Sequence, residues 1–179
     1  MDIIEDHIVA VTSESLENLK SKCLNFDSFC GTLNDLGELS GIAQKLNGPI
    51  TSIDKLKESN NVLYVHKKVT EGGVEVITGY IKAGYKNLFF YTAKGKVVEM
   101  SDVPVCLDFF VHPDHQRHGI GKKLFDFMLQ AMSRQACEFA YDRPSSKLTP
   151  FLWKHYNLCH QDVQPNRYAI YPREGFPLE

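Results

Sequence analysis

Residues 105–128 read V-C-L-D-F-F-V-H-P-D-H-Q-R-H-G-I-G-K-K-L-F-D-F-M. The first third is apolar, β-branched and aromatic, the pattern of a buried strand. The last third sets Leu124, Phe125, Met128, Leu129 and Met132 at helical spacing. Gln116-Arg117-His118-Gly119-Ile120-Gly121 joins the two. A strand that turns through glycines into a helix N-terminus makes an anion site. The first N–H groups of a helix have no internal partner, and the dipole there is positive. Glycine lets that backbone close on a phosphate without a Cβ clash.

Neither the dinucleotide fingerprint nor the Walker pattern is present, since no third glycine follows Gly121 at the required distance and no G-K-[ST] occurs. What stands there, Gln-Arg-x-Gly-Ile-Gly, resembles the pyrophosphate loop of the GNAT superfamily of N-acetyltransferases. An ordinary glycine-containing connector is the alternative.

The 179 residues fit one domain, 1–179, with a sizeable core. A net charge of −2 gives no reason to expect nucleic acid as a partner. No apolar run approaches a membrane span, and M-D-I-I-E-D is unlike a signal peptide. The 5 cysteines follow no paired spacing, which suggests a reducing compartment, cytosol or nucleus.

Along the chain, Ile8 to Val11 reads as a strand, and Ser13 as the cap of a helix bearing Leu16, Leu19 and Cys23. A second helix is expected over about Thr32 to Leu46, striped by Leu33, Leu36, Leu39, Ala43 and Leu46 and ended by Asn47-Gly48-Pro49. Gly37 and Gly41 suggest close approach by another backbone, or simple tolerance. A helical turn over Ile53 to Lys57 precedes the strand V-L-Y-V-H-K-K-V and a turn at Glu71-Gly72-Gly73. V-E-V-I-T-G-Y-I-K-A then pairs back; Gly84 to Asn87 turns into L-F-F-Y, and Ala93 to Lys96 turns into V-V-E-M. Asp102-Val103-Pro104 leads to the central strand, Val105 to His112. Beyond the helix, Cys137 to Tyr141 should lie parallel to it as a βαβ unit. A helix through Phe151, Leu152, His155 and Tyr156, with Thr149 as cap and Pro150 at its first position, and a strand over Asn166 to Ile170 complete the fold. Gly175-Phe176-Pro177 is read as a loose end. The expected class is α+β, in three α/β/α layers. Its GNAT-like central sheet is mixed and mostly antiparallel, with the βαβ unit and flanking helices. The two parallel strands would splay apart beyond the phosphate loop into a wedge for an acyl thioester.

Four further stretches narrow the resemblance: residues 79–89, G-Y-I-K-A-G-Y-K-N-L-F; residues 107–112, L-D-F-F-V-H; residues 142–147, D-R-P-S-S-K; and residues 154–158, K-H-Y-N-L. With the phosphate loop they are similar to the catalytic domain of the α-tubulin N-acetyltransferase family, over about residues 32–176. The Ala43-Gln44-Lys45-Leu46 helix end before Pro49-Ile50-Thr51-Ser52 resembles that family as well.

The resemblance implies transfer of acetyl from acetyl-CoA to a lysine of α-tubulin, by direct attack in a ternary complex. The partners would be α-tubulin and microtubules, with no nucleic acid, no membrane and no metal; the chain would act as a monomer in the cytoplasm, on the microtubule cytoskeleton, cilia or flagella included. An attacking lysine must be neutral, although its reference pKa is about 10.4. A carboxylate can take its proton, and Asp142 matches the family's catalytic aspartate; alternatively it caps the next segment or pairs with Arg143. Gln44 matches a glutamine essential to the family, placed to bond the substrate backbone or the amine. Backbone N–H groups at Phe109, Phe110 and Val111 would meet the acetyl carbonyl. Gln116, Arg117, His118, Gly119, Ile120, Gly121 and Lys122 would hold the pyrophosphate. Ser145, Ser146, Lys147, Phe151 and Lys154 match CoA-contacting positions, where a solvated basic face is the alternative.

Two departures stand out. The family's active-site cysteine aligns without a gap with Val105, and one residue of slip turns a side chain to the opposite face. Either a bulge restores Cys106 as a catalytic residue or Cys106 is a core thiol. A start of the last helix at Pro150 would also move Ser145 and Lys147 away from CoA.

Competing readings are a GNAT-fold acetyltransferase acting on another protein lysine or a small amine, and a microtubule-binding protein without turnover. A hydrolase is disfavoured, as no G-x-S-x-G occurs. The histidines at 112, 115 and 118 lie in a strand-to-loop region where their spacing of three aligns no ligands, so no zinc site is expected.

Overall fold

The computed structural model describes residues 3–22, 25–70 and 73–172. Its elements are β1 (Ile3–Val11), α1 (Ser15–Lys22), α2 (Phe26–Ala43), α3 (Ile53–Lys57), β2 (Val62–Thr70), β3 (Glu75–Tyr91), β4 (Val97–Val111), α4 (Ile120–Met132), β5 (Ala140–Asp142), α5 (Leu148–Tyr156), β6 (Asp162–Val163) and β7 (Tyr168–Ile170). The strands form one mixed sheet of 7, ordered β1-β2-β3-β4-β5-β7-β6. The pairs β1/β2, β5/β7 and β6/β7 are antiparallel and β4/β5 is parallel. The mixed, largely antiparallel sheet and its β4–α4–β5 unit are those expected from the sequence.

The chain divides into two compact units. One comprises residues 1–82 and 108–128, the other residues 83–107 and 129–179.

In the first unit, α2 begins at Phe26 rather than near Thr32, because the Asn25 side chain caps it by accepting from the Ser28 N–H at 3.1 Å. Its buried face is Phe29, Leu33, Leu36, Gly37, Ser40 and Gly41, whereas Leu39 and Ala43 of the expected stripe are exposed. The helix also stops earlier than expected. Lys45 turns left-handed at φ 57, and the Leu46 N–H returns to the Gly41 carbonyl at 2.9 Å, closing the last turn before Asn47 is reached. For α1 the cap is Thr12, whose hydroxyl accepts from the Ser15 N–H, not Ser13. Cys23 and the Glu71-Gly72 part of the expected turn lie outside the described residues. α3 spans the expected Ile53–Lys57, capped by Ser52. Val11, Leu16, Phe29, Leu33, Leu36, Leu56, Leu63 and Tyr80 anchor this unit's core.

In the second unit the expected turn at Gly84 to Asn87 does not form. β3 is unbroken, with Leu88 and Phe90 buried and Phe89 and Tyr91 exposed. The reversal comes at Gly95 (φ 75), where the Thr92 N–H donates to the Lys96 carbonyl at 2.8 Å. β4 is likewise continuous from Val97, absorbing a left-handed Asp102 (φ 53) whose N–H is held by Asn87 Oδ1. A 3₁₀ turn over Ala136–Glu138 replaces the start of the expected strand at Cys137, leaving only Ala140–Asp142 extended. The short β6 was not visible in the sequence; β7 covers the last three residues of the strand expected over Asn166 to Ile170. α5 starts at Leu148, so Pro150 is the third helical residue and Thr149 is not the cap. Proline is tolerated there because N–H groups of a first turn have no intrahelical acceptor. Gly175-Phe176-Pro177 lies outside the described residues. Val103, Val105, Leu107, Phe90, Ala140 and Ile170 form the core.

Cys106 is a buried core thiol, 3% exposed, in register with Tyr141 across the parallel pair. Cys106→Ala is expected to lower stability by about 1 kcal/mol, the usual scale for trimming a core side chain, and to retain most turnover per folded molecule. Turnover and thermal unfolding measured on the same preparation check this. A loss beyond about a hundredfold at unchanged folding, the size of a removed catalytic group, would put the thiol among the reacting groups.

Candidate active site

In the first unit the last residues of β4, the connecting loop and α4 form the strand–loop–helix element expected from the sequence. Phe109, Phe110 and Val111 are half-buried at the strand end. The Phe109 ring lies on Phe125 of α4 with centroids 5.9 Å apart. Gly79 of β3 allows the strands to close up, since a Cβ there would lie 2.8 Å from the Phe110 carbonyl oxygen. A 3₁₀ turn over Pro113–His115 follows, with His112 accepting from the Asp114 N–H and its ring packed on His115 at 5.9 Å. Among the described residues no three or more His, Cys, Asp or Glu side chains gather as an ion site.

The loop is built to expose backbone. Arg117 (φ 66) and Gly119 (φ 81) are both left-handed, and the space where a Gly119 Cβ would point is open. The Gln116 side chain donates to the Val111 carbonyl at 2.9 Å, tying the loop to the strand end. Ile120 turns its side chain into the core at 2% exposure, so only its backbone is available to a ligand. The first turn of α4 carries no acidic residue, which suits an anion at its positive pole. Lys122 pairs with Asp126 and Lys123 with Asp6; Arg117 and His118 are exposed on the loop itself. The residues present therefore fit a pyrophosphate. Gly119→Glu should abolish stabilisation by acetyl-CoA. At a hundred times Kd the unaltered chain should gain about 2.7 kcal/mol, or about 5–11 °C in Tm. The same melting shift in the variant would overturn the assignment of the loop.

No motif or periodicity pointed to the partners of Asp108. This residue of β4 is 4% exposed among apolar neighbours. Its Oδ1 accepts from the Ser40 hydroxyl at 3.0 Å and from Gln44 Nε2 at 3.0 Å. Its Oδ2 accepts from Thr51 at 2.5 Å and Tyr80 at 2.7 Å. Four donors at two oxygens offset the loss of water that makes a buried carboxylate costly. Burial, and Asp108 next to it, push the Tyr80 phenol far above its usual range. Lys82 donates to the Ile50 carbonyl and Lys55 to that of Pro49, so the segment carrying Thr51 is held at several points. The available signal was a lone acid inside an apolar strand.

The second unit holds the other candidates. Asp142 ends β5 opposite Tyr168 of β7. Arg143 Nε donates to its Oδ1 at 3.1 Å, while the contact of Arg143 Nη2 with Oδ2 is a long 3.5 Å. The alternative of pairing with Arg143 is thus realised, with Oδ2 only weakly engaged by the arginine. Burial, then the negative charge of Asp142, pushes the Tyr168 phenol up to about 12. Ser145, Ser146, Lys147 and Lys154 are exposed, and Phe151 is half-buried against His155, with ring centroids 4.8 Å apart. Lys147, Phe151 and Lys154 fall at i, i+4 and i+7, hence on one side of α5. The early helix start removes the objection that Ser145 and Lys147 would be displaced. β4 and β5 pair only at Val105–Ala140 and Cys106–Tyr141.

A mixed sheet in which the parallel strands β4 and β5 are joined through a glycine loop and a helix defines the class: a GNAT-type N-acetyltransferase. The chain belongs to a particular family of that class, described as GNAT acetyltransferase, Mec-17, whose model matches residues 1–176. Among solved structures, the xEco2 acetyltransferase domain bound to a CoA conjugate shares the fold with a TM-score of 0.57 at 10% identity, covering 97% of this chain and 95% of that one. An aminoglycoside N-acetyltransferase in complex with CoA gives 0.51 at 15% identity, covering 98% of each chain. Among curated relatives, the alpha-tubulin N-acetyltransferase of Schistosoma japonicum is 34% identical over 187 residues, covering 95% of this chain and 69% of that protein. Alpha-tubulin N-acetyltransferase 1 of Danio rerio is 42% identical over 141 residues, covering 78% of this chain and 47% of that protein. The corresponding protein of Tetrahymena thermophila is 42% identical over 140 residues, covering 78% of this chain and 33% of its own length. The chain thus spans about two thirds of one of these relatives and half or less of the other two. The family match also reaches the first 31 residues, where the sequence stretches quoted above carry little resemblance.

Proposed function

We propose that the chain transfers the acetyl group of acetyl-CoA to a lysine side chain of α-tubulin in microtubules, by direct attack in a ternary complex. The observation that carries this reading is its similarity, over most of its length, to proteins named for that activity. The glycine loop and the open N-terminal turn of α4 support it, because they suit a pyrophosphate.

Acetyl-CoA supplies the thioester. The remaining work falls to side chains and backbone of this chain. Gln116 to Lys122 hold the pyrophosphate, with Arg117 adding charge. Backbone N–H groups at the end of β4, around Val111, stabilise the oxyanion. The Lys147, Phe151 and Lys154 side of α5, with Ser145 and Ser146, contacts CoA. Gln44 orients the incoming lysine, and Asp142 accepts its proton through Oδ2, directly or through water, while Arg143 holds Oδ1. The chain acts as a monomer on microtubules.

The test is acetyl incorporation into polymerised tubulin from labelled acetyl-CoA, with Asp142→Asn alongside. Incorporation confined to the α-subunit is the expected result. Transfer to other proteins or small amines but not to tubulin would overturn the assignment of substrate.

A further inference from the structure

Gln44 caps the C-terminal end of α2, one turn beyond Ser40 on the same face. Its Nε2 donates to the Ser40 hydroxyl at 2.8 Å and to Asp108 Oδ1 at 3.0 Å. Both bonds run from the nitrogen end of the amide, so that end faces Ser40 and Asp108. Which end of the amide points inward follows from the chemistry of its partner. A carboxylate has only lone pairs to offer, so the nitrogen end must face it, and a flipped amide would set two acceptors against each other. The carboxylate cannot easily turn away, because Thr51 and Tyr80 hold its other oxygen. Its four partners come from α2, the segment before α3, and β3, so its position is fixed by the packed unit and not by any one loop. Oε1 is then the atom of Gln44 left for another molecule, at the negative pole of α2.

We propose that Asp108 is a positioning residue for acetyl transfer: it locks the Gln44 amide with its nitrogen end inward, so that Gln44 meets the substrate lysine as a hydrogen-bond acceptor through Oε1. This rests on the reading of Gln44 as a substrate-orienting residue. A group that only accepts suits an ammonium or a peptide N–H on the substrate and cannot serve the oxyanion, which needs donors. The carboxylate thereby selects one of two amide orientations, a choice that the shape of the site alone would leave open. Asp108→Asn brings an N–H₂ group of its own, and the Gln44 amide can then turn over at little cost in packing.

Two measurements test this. The first needs no substrate. The side-chain amide protons of Gln44, identified in a ¹⁵N-labelled chain by their disappearance in Gln44→Met, should exchange slowly in the unaltered protein. In Asp108→Asn they should exchange at the rate of exposed glutamine amides. Unchanged exchange in Asp108→Asn would overturn the lock. The second is a double-mutant cycle on kcat/KM for microtubules, with acetyl-CoA affinity and Tm measured beside it. Each single variant should lose about ten- to a hundredfold, the scale for an orphaned buried hydrogen-bonding group, at unchanged acetyl-CoA affinity. The double variant should lose no more than the worse single one, within about threefold, because coupled residues are not additive. Losses that multiply would make Asp108 merely structural and overturn the proposal.

If Asp108→Asn does not fold, Ser40→Ala replaces it in both measurements. It removes the other acceptor of Nε2 and should give faster amide exchange and a smaller loss that vanishes in the Gln44→Met background. Full activity of Gln44→Met would overturn the substrate half of the inference while leaving the transferase reading intact. An unaltered protein that binds acetyl-CoA yet leaves microtubules unacetylated would overturn the reading of function; the amide exchange still tells that failure apart from failure of the lock.

Discussion

Asp142→Asn should lower turnover on microtubules by about 10²–10⁴-fold, the range for removal of a general base, while acetyl-CoA affinity stays near that of the unaltered chain. Asparagine keeps the shape and an oxygen that Arg143 Nε can still reach, so the turn after β5 should survive. What it loses is basicity. A carboxylate is a weak base toward an amine whose reference pKa is about 10.4, so the wild-type rate should rise with pH until the amine is largely neutral. The residual rate of the asparagine variant should rise as well, because only solvent then removes the proton. Turnover at saturating acetyl-CoA and microtubules, with cofactor binding measured separately, decides the matter. Turnover within about threefold of wild type, far below the loss of a base, would make Asp142 structural. A collapse of acetyl-CoA binding along with the rate would mean that the Asp142–Arg143 pair holds the following turn and moves no proton.

The largest stability effect is expected at Gly37. A Cβ there would lie 2.0 Å from the carbonyl oxygen of Thr51 and 3.1 Å from its carbon, both backbone atoms that cannot swing aside. Gly41, one turn later, meets the Gly48 carbonyl oxygen at 3.1 Å and Pro49 Cα at 3.3 Å, contacts that a shift of a few tenths of an ångström relieves. Gly31, in the same helix, meets nothing within 4 Å. Helix propensity treats the three alike and favours alanine at each by about 1 kcal/mol. Packing separates them. Gly37→Ala should destabilise by about 3 kcal/mol, the upper part of the overpacking range, or about 6–12 °C in Tm. Gly41→Ala should lie near neutrality. Gly31→Ala should stabilise by about 1 kcal/mol. Thermal or denaturant unfolding of the three variants gives the order, and a Gly37→Ala protein as stable as the parent would mean that the backbone of Thr51 is free to move. Gly37→Ala should also slow catalysis, since Thr51 is a donor to the carboxylate that holds Gln44.

Much of this was legible in residue order. The apolar run of β4, the glycines at 119 and 121 and the helical stripe of α4 each state a local preference, and the three agree on a strand, a turn and a helix. The helical turn over Ile53 to Lys57 was legible for the same reason, and its cap, Ser52, is a contact between near neighbours. The I-K-x-G-Y-K, D-R-P-S and K-H-Y stretches pointed to the family because they are specific strings, whatever they fold into.

Other features could be settled only by tertiary structure. The residues Gly84 to Asn87 have turn composition, yet β3 runs through them unbroken, since pairing with neighbouring strands is a tertiary feature that local composition does not encode. Cys106 could have faced either side of β4; the register with β5 seats it beside Tyr141 in the core. Asp108 is the strongest case. By position it is one acid in an apolar strand, and no periodicity tells what it touches. Its donors stand 28, 57, 64 and 68 residues away. Periodicity can say which face of a strand is buried, but the partners of a buried charge are brought to it only when distant segments pack, and here that packing also turns the nitrogen end of the Gln44 amide toward Ser40 and Asp108.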